Sequence, residues 1–449
     1  MKKHVIALWG LAGLLLTTGC NEFGAGKKHI PTPPQFEARI DRSTPPARMD
    51  IEQALQQAKS LKLSQIASEI EYYRVGDATF TVTQAIAIPD SNAFITFNNP
   101  RIYYRKKGIP SKRYAFKALA YKWNNEMNGC PMFYDKKTTR MYVALSGKNQ
   151  TNRGSDKGDK VVESEDAKHP VVPCIGQLPQ LDTLLTMFNY IYPENTPVKY
   201  PLDLTYDKLL GFSSSGYTLC NYGRRTGEPS GITTFNLQGD TLCKIRLKEN
   251  RRMVSRTVTE NVPFFQTAYW NEAQDRMTFM IPYCDTVYQL TDPQTVVPLY
   301  EIHLGQSGIS LPDLESEVIP KGKIWLRTLF ENPKGLFAGF NQKGSPAIKN
   351  WLDQIDNFKP IISGRSVYLK ADGQTYMLPQ DSKGFVNDLD GGLSFWPDGQ
   401  TDNCLYMIRT VTEMRETIKR TGSPQQQELI QFLDDPTTHE RDYVMIVVR

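Results

Sequence analysis

The sequence predicts an all-β fold: a six-bladed β-propeller closed by pairing of its N- and C-terminal strands, with short helices near the termini. Three observations carry that expectation. Short strand-turn-strand units recur along the chain, the clearest being Tyr283 to Gly305, where Val287, Tyr288 and Leu290 lead into a Thr-Asp-Pro-Gln turn and Val296 to Leu304 lead out. An apolar β-run lies near each end of the stretch 50–449, at Ile66–Tyr73 and at Tyr443–Val448. The stretch 50–449 is also too long for a β-sandwich but suits a ring of four-stranded sheets, at about 65 residues per blade once insertions are absorbed.

The chain opens with Met-Lys-Lys, an apolar run from Val5 to Leu16, and Thr17-Thr18-Gly19-Cys20. The run is too short to span a bilayer and reads as a signal peptide over residues 1–20. Its ending resembles a bacterial lipobox, which makes Cys20 the expected lipidation site and the lipid bilayer an expected partner through acylated Cys20. Residues 21–49, rich in Pro and Gly with little apolar content, read as a flexible tether. The domain is placed at 50–449.

Ile51, Leu55, Ala58 and Leu61 fit a short amphipathic helix within Asp50–Ile66, and Ile66–Tyr73 then reads as the first strand. Alternation at Phe80, Val82, Ile86 and Ile88 marks a half-buried strand, with further β-runs at 93–97, 101–104, 132–134 and 141–145. Residues 147–170 are Lys, Asp, Ser and Asn with hardly an apolar side chain, and read as a mobile polar insertion. Hairpins are expected at 232–247, 264–283, 323–340 and 366–378. Towards the end, Val411, Met414 and Ile418 share a helical face, and Ser423-Pro424 with Gln426 reads as a capping box before Leu429, Phe432 and Leu433.

These stretches carry a resemblance. Leu63–Tyr73, Asp285–Leu290 with Val297–Gly305, Gly384–Pro397 and the closing Leu433-Asp-Asp followed by an apolar strand are similar to the six-bladed β-propeller lipoproteins of Bacteroidetes, a family of unknown function. The resemblance spans about residues 60 to 449 and implies a propeller on a lipid anchor with a binding role. The long insertion and the cysteine-rich middle depart from it.

Lys+Arg number 53 against Asp+Glu 48, and the basic groups are scattered, so a nucleic-acid groove is not expected. The five histidines include no paired spacing, and Gly211-Phe-Ser-Ser-Ser-Gly216 misses the second glycine of a nucleophile elbow. No catalytic residue is assigned and no cofactor is expected. Asp388 and Asp390, in Asn-Asp-Leu-Asp-Gly-Gly, fit either a Ca2+ site or a tight turn, though the EF-hand register fails. Trp270, Trp325 and Trp396 are candidate ligand-binding aromatics, since an indole face stacks on sugars, or else core residues. Cys130 and Cys174 bracket a polar loop and form a possible disulfide, with free thiols the alternative.

The functional expectation is a binding or scaffold module for a glycan or peptide, with a propeller-type lyase or hydrolase acting on a polysaccharide or peptide as the alternative. Because Asn21-Glu22-Phe23-Gly24 lacks an acidic run after the lipid-bearing cysteine, an outer-membrane lipoprotein on the periplasmic side is favoured over the cell surface.

Overall fold

The computed structural model describes residues 39–77, 82–88, 93–98, 101–106, 109–114, 132–135, 140–143, 174–177, 207–213, 216–221, 231–235, 241–246, 268–271, 276–280, 285–292, 294–309, 322–343, 361–401 and 404–449. Two short strands, β1 (Arg39–Ile40) and β2 (Ala47–Asp50), precede helix α1 (Ile51–Ala54) and strand β3 (Ile70–Asp77). Next come β4 (Val82–Ile88), β5 (Ala93–Asn98), β6 (Arg101–Lys106) and β7 (Ile109–Tyr114), which form one antiparallel sheet. A three-stranded sheet follows from β8 (Met132–Asp135), β9 (Arg140–Val143) and β10 (Cys174–Gln177). The third sheet holds β11 (Asp207–Ser213), β12 (Gly216–Asn221), β13 (Gly231–Phe235) and β14 (Thr241–Arg246).

In the fourth sheet, β15 (Ala268–Asn271), β16 (Arg276–Met280), β17 (Thr286–Asp292) and β18 (Thr295–His303) run antiparallel in sequence order, and β1 and β2 add to β18 in parallel. The fifth contains β19 (Ile324–Asn332), β20 (Gly335–Lys343), β21 (Ile361–Leu369) and β22 (Gln374–Met377). The last contains β23 (Gly399–Thr401), β24 (Cys404–Thr410) and β25 (Asp442–Val448), and then β3 from the far end of the chain. Helices α2 (Val411–Thr417) and α3 (Gln427–Asp434) lie between β24 and β25.

Among the described residues, then, the fold is mostly β with few helices, and the expected hairpins all form. β25 pairs with β3 so that Val447 faces Glu71 and Val448 faces Ile70. First strands touch at five of the six junctions: β4 meets β8, β8 meets β11, β11 meets β15, β19 meets β23, and β23 meets β4. The fourth and fifth sheets share an apolar core of Met280 and Val287 with Leu336, Ala338 and Phe340.

Alternation decides which way each strand of the fifth sheet faces. Leu336, Ala338 and Phe340 pack towards the fourth sheet. Phe337, Val367 and Leu369 pack against Leu405 and Met407 of the last sheet, in a core that also takes Leu429 and Leu433 of α3 and Val411 and Met414 of α2. Helix α2 starts at Thr410, whose hydroxyl oxygen accepts from the Glu413 amide at 3.1 Å.

Four expectations are corrected. The tether does not extend to residue 49, because the amides of Arg39 and Asp41 donate to the carbonyls of Gln294 and Val296 and Ala47–Asp50 pair with Tyr300–His303. The helix expected over Asp50–Ile66 lasts only from Ile51 to Ala54; beyond it the backbone is drawn off, Lys59 donating to the Met377 carbonyl and Leu63 to that of Val386. The first strand of the terminal pair begins at Ile70, not Ile66, after a 3-10 turn over Leu63–Gln65. Gln426 does not close a capping box on Ser423; its carbonyl oxygen accepts from the Thr421 amide at 2.8 Å and its amide donates to Lys419.

Candidate functional site

The fifth and last sheets face one another, and their apolar contact runs out two residues beyond Val367 on β21 and two beyond Met407 on β24. The residues at those positions are Arg365 and Arg409. A third arginine, Arg327, sits at a bulge in β19, where the register with β20 slips between Leu326 and Thr328. Three strands of two sheets thereby bring arginines to one inter-sheet mouth, and Arg327, Arg409 and Asp398 all act electrostatically on Arg365.

Arg409 and Arg365 are held differently. Arg409 donates from Nη1 to Asp398 Oδ2 at 2.7 Å and to the Ile408 carbonyl at 2.7 Å, while the Ile408 amide donates to the same carboxylate oxygen at 2.8 Å. Asp398 is therefore committed to β24. Arg365 donates from Nη1 to the Ser382 carbonyl at 3.0 Å, and its guanidinium lies 5.9 Å from the centre of the Trp396 ring. Among the described residues no carboxylate comes within ion-pair distance of it. Burial, then Arg409, with Arg327 adding to it, lower the Arg365 proton affinity against the partial relief of Asp398. Its positive charge is half-buried and under-compensated.

Cross-strand register extends the same face. Thr328, Gly339 and Arg365 form one row across β19, β20 and β21, and Trp325, Asn341 and Ser363 form a row nearer the start of β19. Asn341 and Gly339 alternate on one side of β20, so both rows share a face, about 7 Å apart along the strands. Ser363 Oγ donates to Asn341 Oδ1 at 3.3 Å. Trp325 is 6 % exposed, and its Nε1–H meets no acceptor among the described residues. A buried donor left unpaired costs about 1–3 kcal/mol. Ser363, Arg327 and Asp398 are exposed, which opens this end of the crevice to solvent.

The residues singled out by sequence part company here. Trp325 lies on the face just described. Trp396 does not offer a free stacking face: it is buried in the core, stacked on Phe385 at 6.2 Å and 11°, edge-on to Phe337, and beside Arg365. Trp270 lies on β15, opposite Met277. Cys174 pairs through its backbone with Val143, whereas Cys130, Cys20 and the 147–170 insertion lie outside the described residues.

Asp388 and Asp390 form two turn anchors. Asp388 accepts from the Ser64 amide at 2.9 Å and the Ser64 hydroxyl at 2.7 Å. Asp390 accepts from the Tyr72 hydroxyl at 2.5 Å, the Asn387 side-chain amide at 2.7 Å and the Gly392 amide at 2.9 Å. These bonds serve the turn reading, and no group of three or more His, Cys, Asp or Glu side chains converges among the described residues. His303 lies 3.5 Å from Glu52, at the junction of β18 with α1.

The arginines were the signal missed in the sequence. Arg327, Arg365 and Arg409 are spread over 82 positions with nothing local to join them, and only the pairing of strands makes them neighbours.

A family described as a domain of unknown function, DUF4933, matches residues 31–420. The chain belongs to the DUF4933 family. No protein of curated function matches this DUF4933 chain. Among solved structures, a Bacteroides fragilis protein described as exported is similar over 90 % of this chain and 99 % of its own, at 10 % identity and a TM-score of 0.51. A Bacteroides vulgatus member of the DUF4221 family covers 88 % of this chain and 99 % of its own at 10 % identity, with a TM-score of 0.41. A Staphylococcus aureus virginiamycin B lyase covers 81 % and 80 % at 9 % identity, with a TM-score of 0.28. The first of these likenesses bears on the fold of the DUF4933 chain and on nothing else. No helix among the described residues is long and apolar enough to cross a membrane.

Proposed function

We propose that this DUF4933 chain is an exported six-bladed β-propeller lipoprotein, anchored through Cys20 and acting as a binding or scaffold module for a glycan or peptide. Six sheets in chain order, first strands touching at five of the six junctions, an apolar core shared by the fourth and fifth sheets, and a last sheet completed by β3 are the features that support the propeller. The short apolar leader ending in Cys20 supports the anchor, and the B. fragilis neighbour is itself described as exported. Attachment to the outer membrane on its periplasmic side follows the sequence after Cys20.

One observation carries the binding role: the mouth between the fifth and last sheets presents hydrogen-bond donors fixed on strands. Arg365 stands there without an ion-pair partner among the described residues, and the neighbouring carboxylate, Asp398, is already engaged by Arg409. Donors preset on a rigid scaffold hold an acceptor-rich ligand at little ordering cost.

The test is a glycan and peptide array probed with the full chain. Retention of one class, intact, supports a binding module. Recovery of cleaved products would replace it with the lyase or hydrolase reading. Separately, Cys20→Ala should move the chain from the membrane to the soluble fraction, and protease added to whole cells should leave the wild-type chain uncut if it faces the periplasm.

A further inference from the structure

The geometry points to an acidic glycan as the ligand of this crevice: we propose that Arg365 takes the carboxylate of a uronic-acid unit while the Trp325 indole N–H donates to an oxygen of the same saccharide. This rests on the binding reading above and narrows it.

Two independent observations meet at the place. Arg365 is a half-buried guanidinium with one hydrogen bond among the described residues, to the Ser382 carbonyl, and lies 5.9 Å from the centre of the Trp396 ring. A planar fork whose remaining N–H groups are uncommitted matches a carboxylate in bidentate fashion. Trp325 is the second: nine-tenths buried, with an Nε1–H that no acceptor among the described residues satisfies, one cross-strand row further along the same sheet face. A ligand that reaches both rows must bear an anionic group and, about 7 Å away, a hydrogen-bond acceptor.

A uronic-acid saccharide supplies both, since its ring and glycosidic oxygens stand about that far from the carboxylate of a neighbouring unit. The other groups on the two rows, the Ser363 hydroxyl and the Asn341 side-chain amide, are polar as well and suit sugar hydroxyls. An acidic peptide would carry the carboxylate, but it brings no ring of hydroxyls to the Ser363 and Asn341 groups on these rows. Arg327 and Arg409 reinforce attraction for the anion without having to touch it.

Calorimetric titration of the full chain tests this with oligomers of galacturonate and of glucuronate, each as free acid and as methyl ester, beside a triglutamate peptide. The free-acid saccharides should bind, weaken as salt rises, and lose about tenfold or more on esterification. Arg365→Gln should cost about tenfold. Trp325→Phe, which keeps the ring and removes the donor, should cost about threefold. Arg48→Gln, an exposed arginine on β2, should bind as wild type. Should Arg365→Gln fail to fold, Trp325→Phe and the esterification step still decide.

A folded Arg365→Gln variant with wild-type affinity would overturn the assignment. So would equal binding of acid and ester, although a neutral glycan or peptide ligand would leave the binding module standing. Triglutamate binding without saccharide binding would overturn the glycan class alone. Failure of every glycan and peptide on the wider array would remove the binding module and this inference together.

Discussion

The hydroxyl of Tyr72 donates to Oδ2 of Asp390 across 318 positions of sequence, at 2.5 Å. Tyr72 lies on β3, the strand that zips onto the C-terminal β25, and Asp390 lies in the turn-rich loop leading to Phe395 and Trp396. One buried hydrogen bond thus joins the terminal sheet to the loop that covers its core. Tyr72→Phe leaves a buried carboxylate one donor short, and the expected loss is about 1–3 kcal/mol in urea unfolding. Asp390→Asn keeps an acceptor for Tyr72 but no charge, and should cost less.

Alkaline pH should weaken the fold steeply. Tyr72, Tyr73, Tyr300 and Tyr406 all ionise above the ordinary tyrosine value of 10, first because burial penalises the phenolate; Asp390, Glu71 and Glu331 add to this at the first three, and Tyr406 is pushed up to about 12. In the unfolded chain these phenols lose protons near pH 10 while the folded ones keep them, so the unfolded state binds fewer protons and stability falls as pH rises. The contribution is complete below pH 10 and disappears above it. Tyr406 alone accounts for about 3 kcal/mol by pH 12. Urea midpoints should be flat from neutrality to about pH 9 and drop beyond pH 10, with tyrosinate absorbance lagging until unfolding.

Lys370→Met should cost about 2–3 kcal/mol. Lys370 Nζ donates to Glu331 Oε1 at 2.6 Å, and the Tyr300 hydroxyl donates to the same oxygen at 2.5 Å. Glu331 is buried, so losing the ammonium leaves a carboxylate with less compensation than its burial requires. Because the Lys370 side chain is 30 % exposed, the cost should sit below that of a fully buried pair. Thermal unfolding of Lys370→Met beside Lys370→Arg, which keeps the charge, separates the ion pair from the packing of the stem.

Gly384→Ala should be worse than either, by about 3 kcal/mol or more. Gly384 has φ +147°, and a Cβ there would stand 2.1 Å from the Phe395 carbonyl oxygen. Phe385 and Phe395 exchange backbone hydrogen bonds beside it at 2.8 and 2.9 Å, so neither chain segment can retreat without breaking that bridge. Gly373→Ala, at φ +67° with only the Tyr368 hydroxyl near its Cβ, at an ordinary contact of 3.7 Å, is the control for backbone strain alone.

What could be read from the sequence is what repeats locally. Alternating side chains and turn residues marked β17 with β18 and β19 with β20, because a hairpin's register is set by its own turn. Residues 39–49 looked like tether because β1 and β2 hold only short, polar-flanked runs and owe their pairing to the finished edge of β18. Asp390 fitted either a turn or a cation site, because spacing displays a carboxylate but hides a tyrosine 318 positions upstream. The arginine mouth was illegible for the same reason: Arg365 and Arg409 become neighbours only once β21 and β24 belong to facing sheets.

The terminal pairing gives the most severe prediction. In β25, Val444, Met445, Ile446, Val447 and Val448 are each at most 1 % exposed, and they serve two cores: Val444, Ile446 and Val448 pack towards the fifth sheet, Met445 and Val447 towards the first. Burying each such side chain is worth about 1.5–3 kcal/mol, so the strand carries as much as the whole net stability of an ordinary domain. Deleting 442–449 would also strip β24 and β3 of their partner and bare two strand edges. The truncated chain should be aggregated or lack a cooperative thermal transition. Val447→Asp, a single buried charge with no partner, should lower the unfolding midpoint more than any variant above. A truncated chain that melts cooperatively at the wild-type temperature would mean that β3 and β24 hold together without β25.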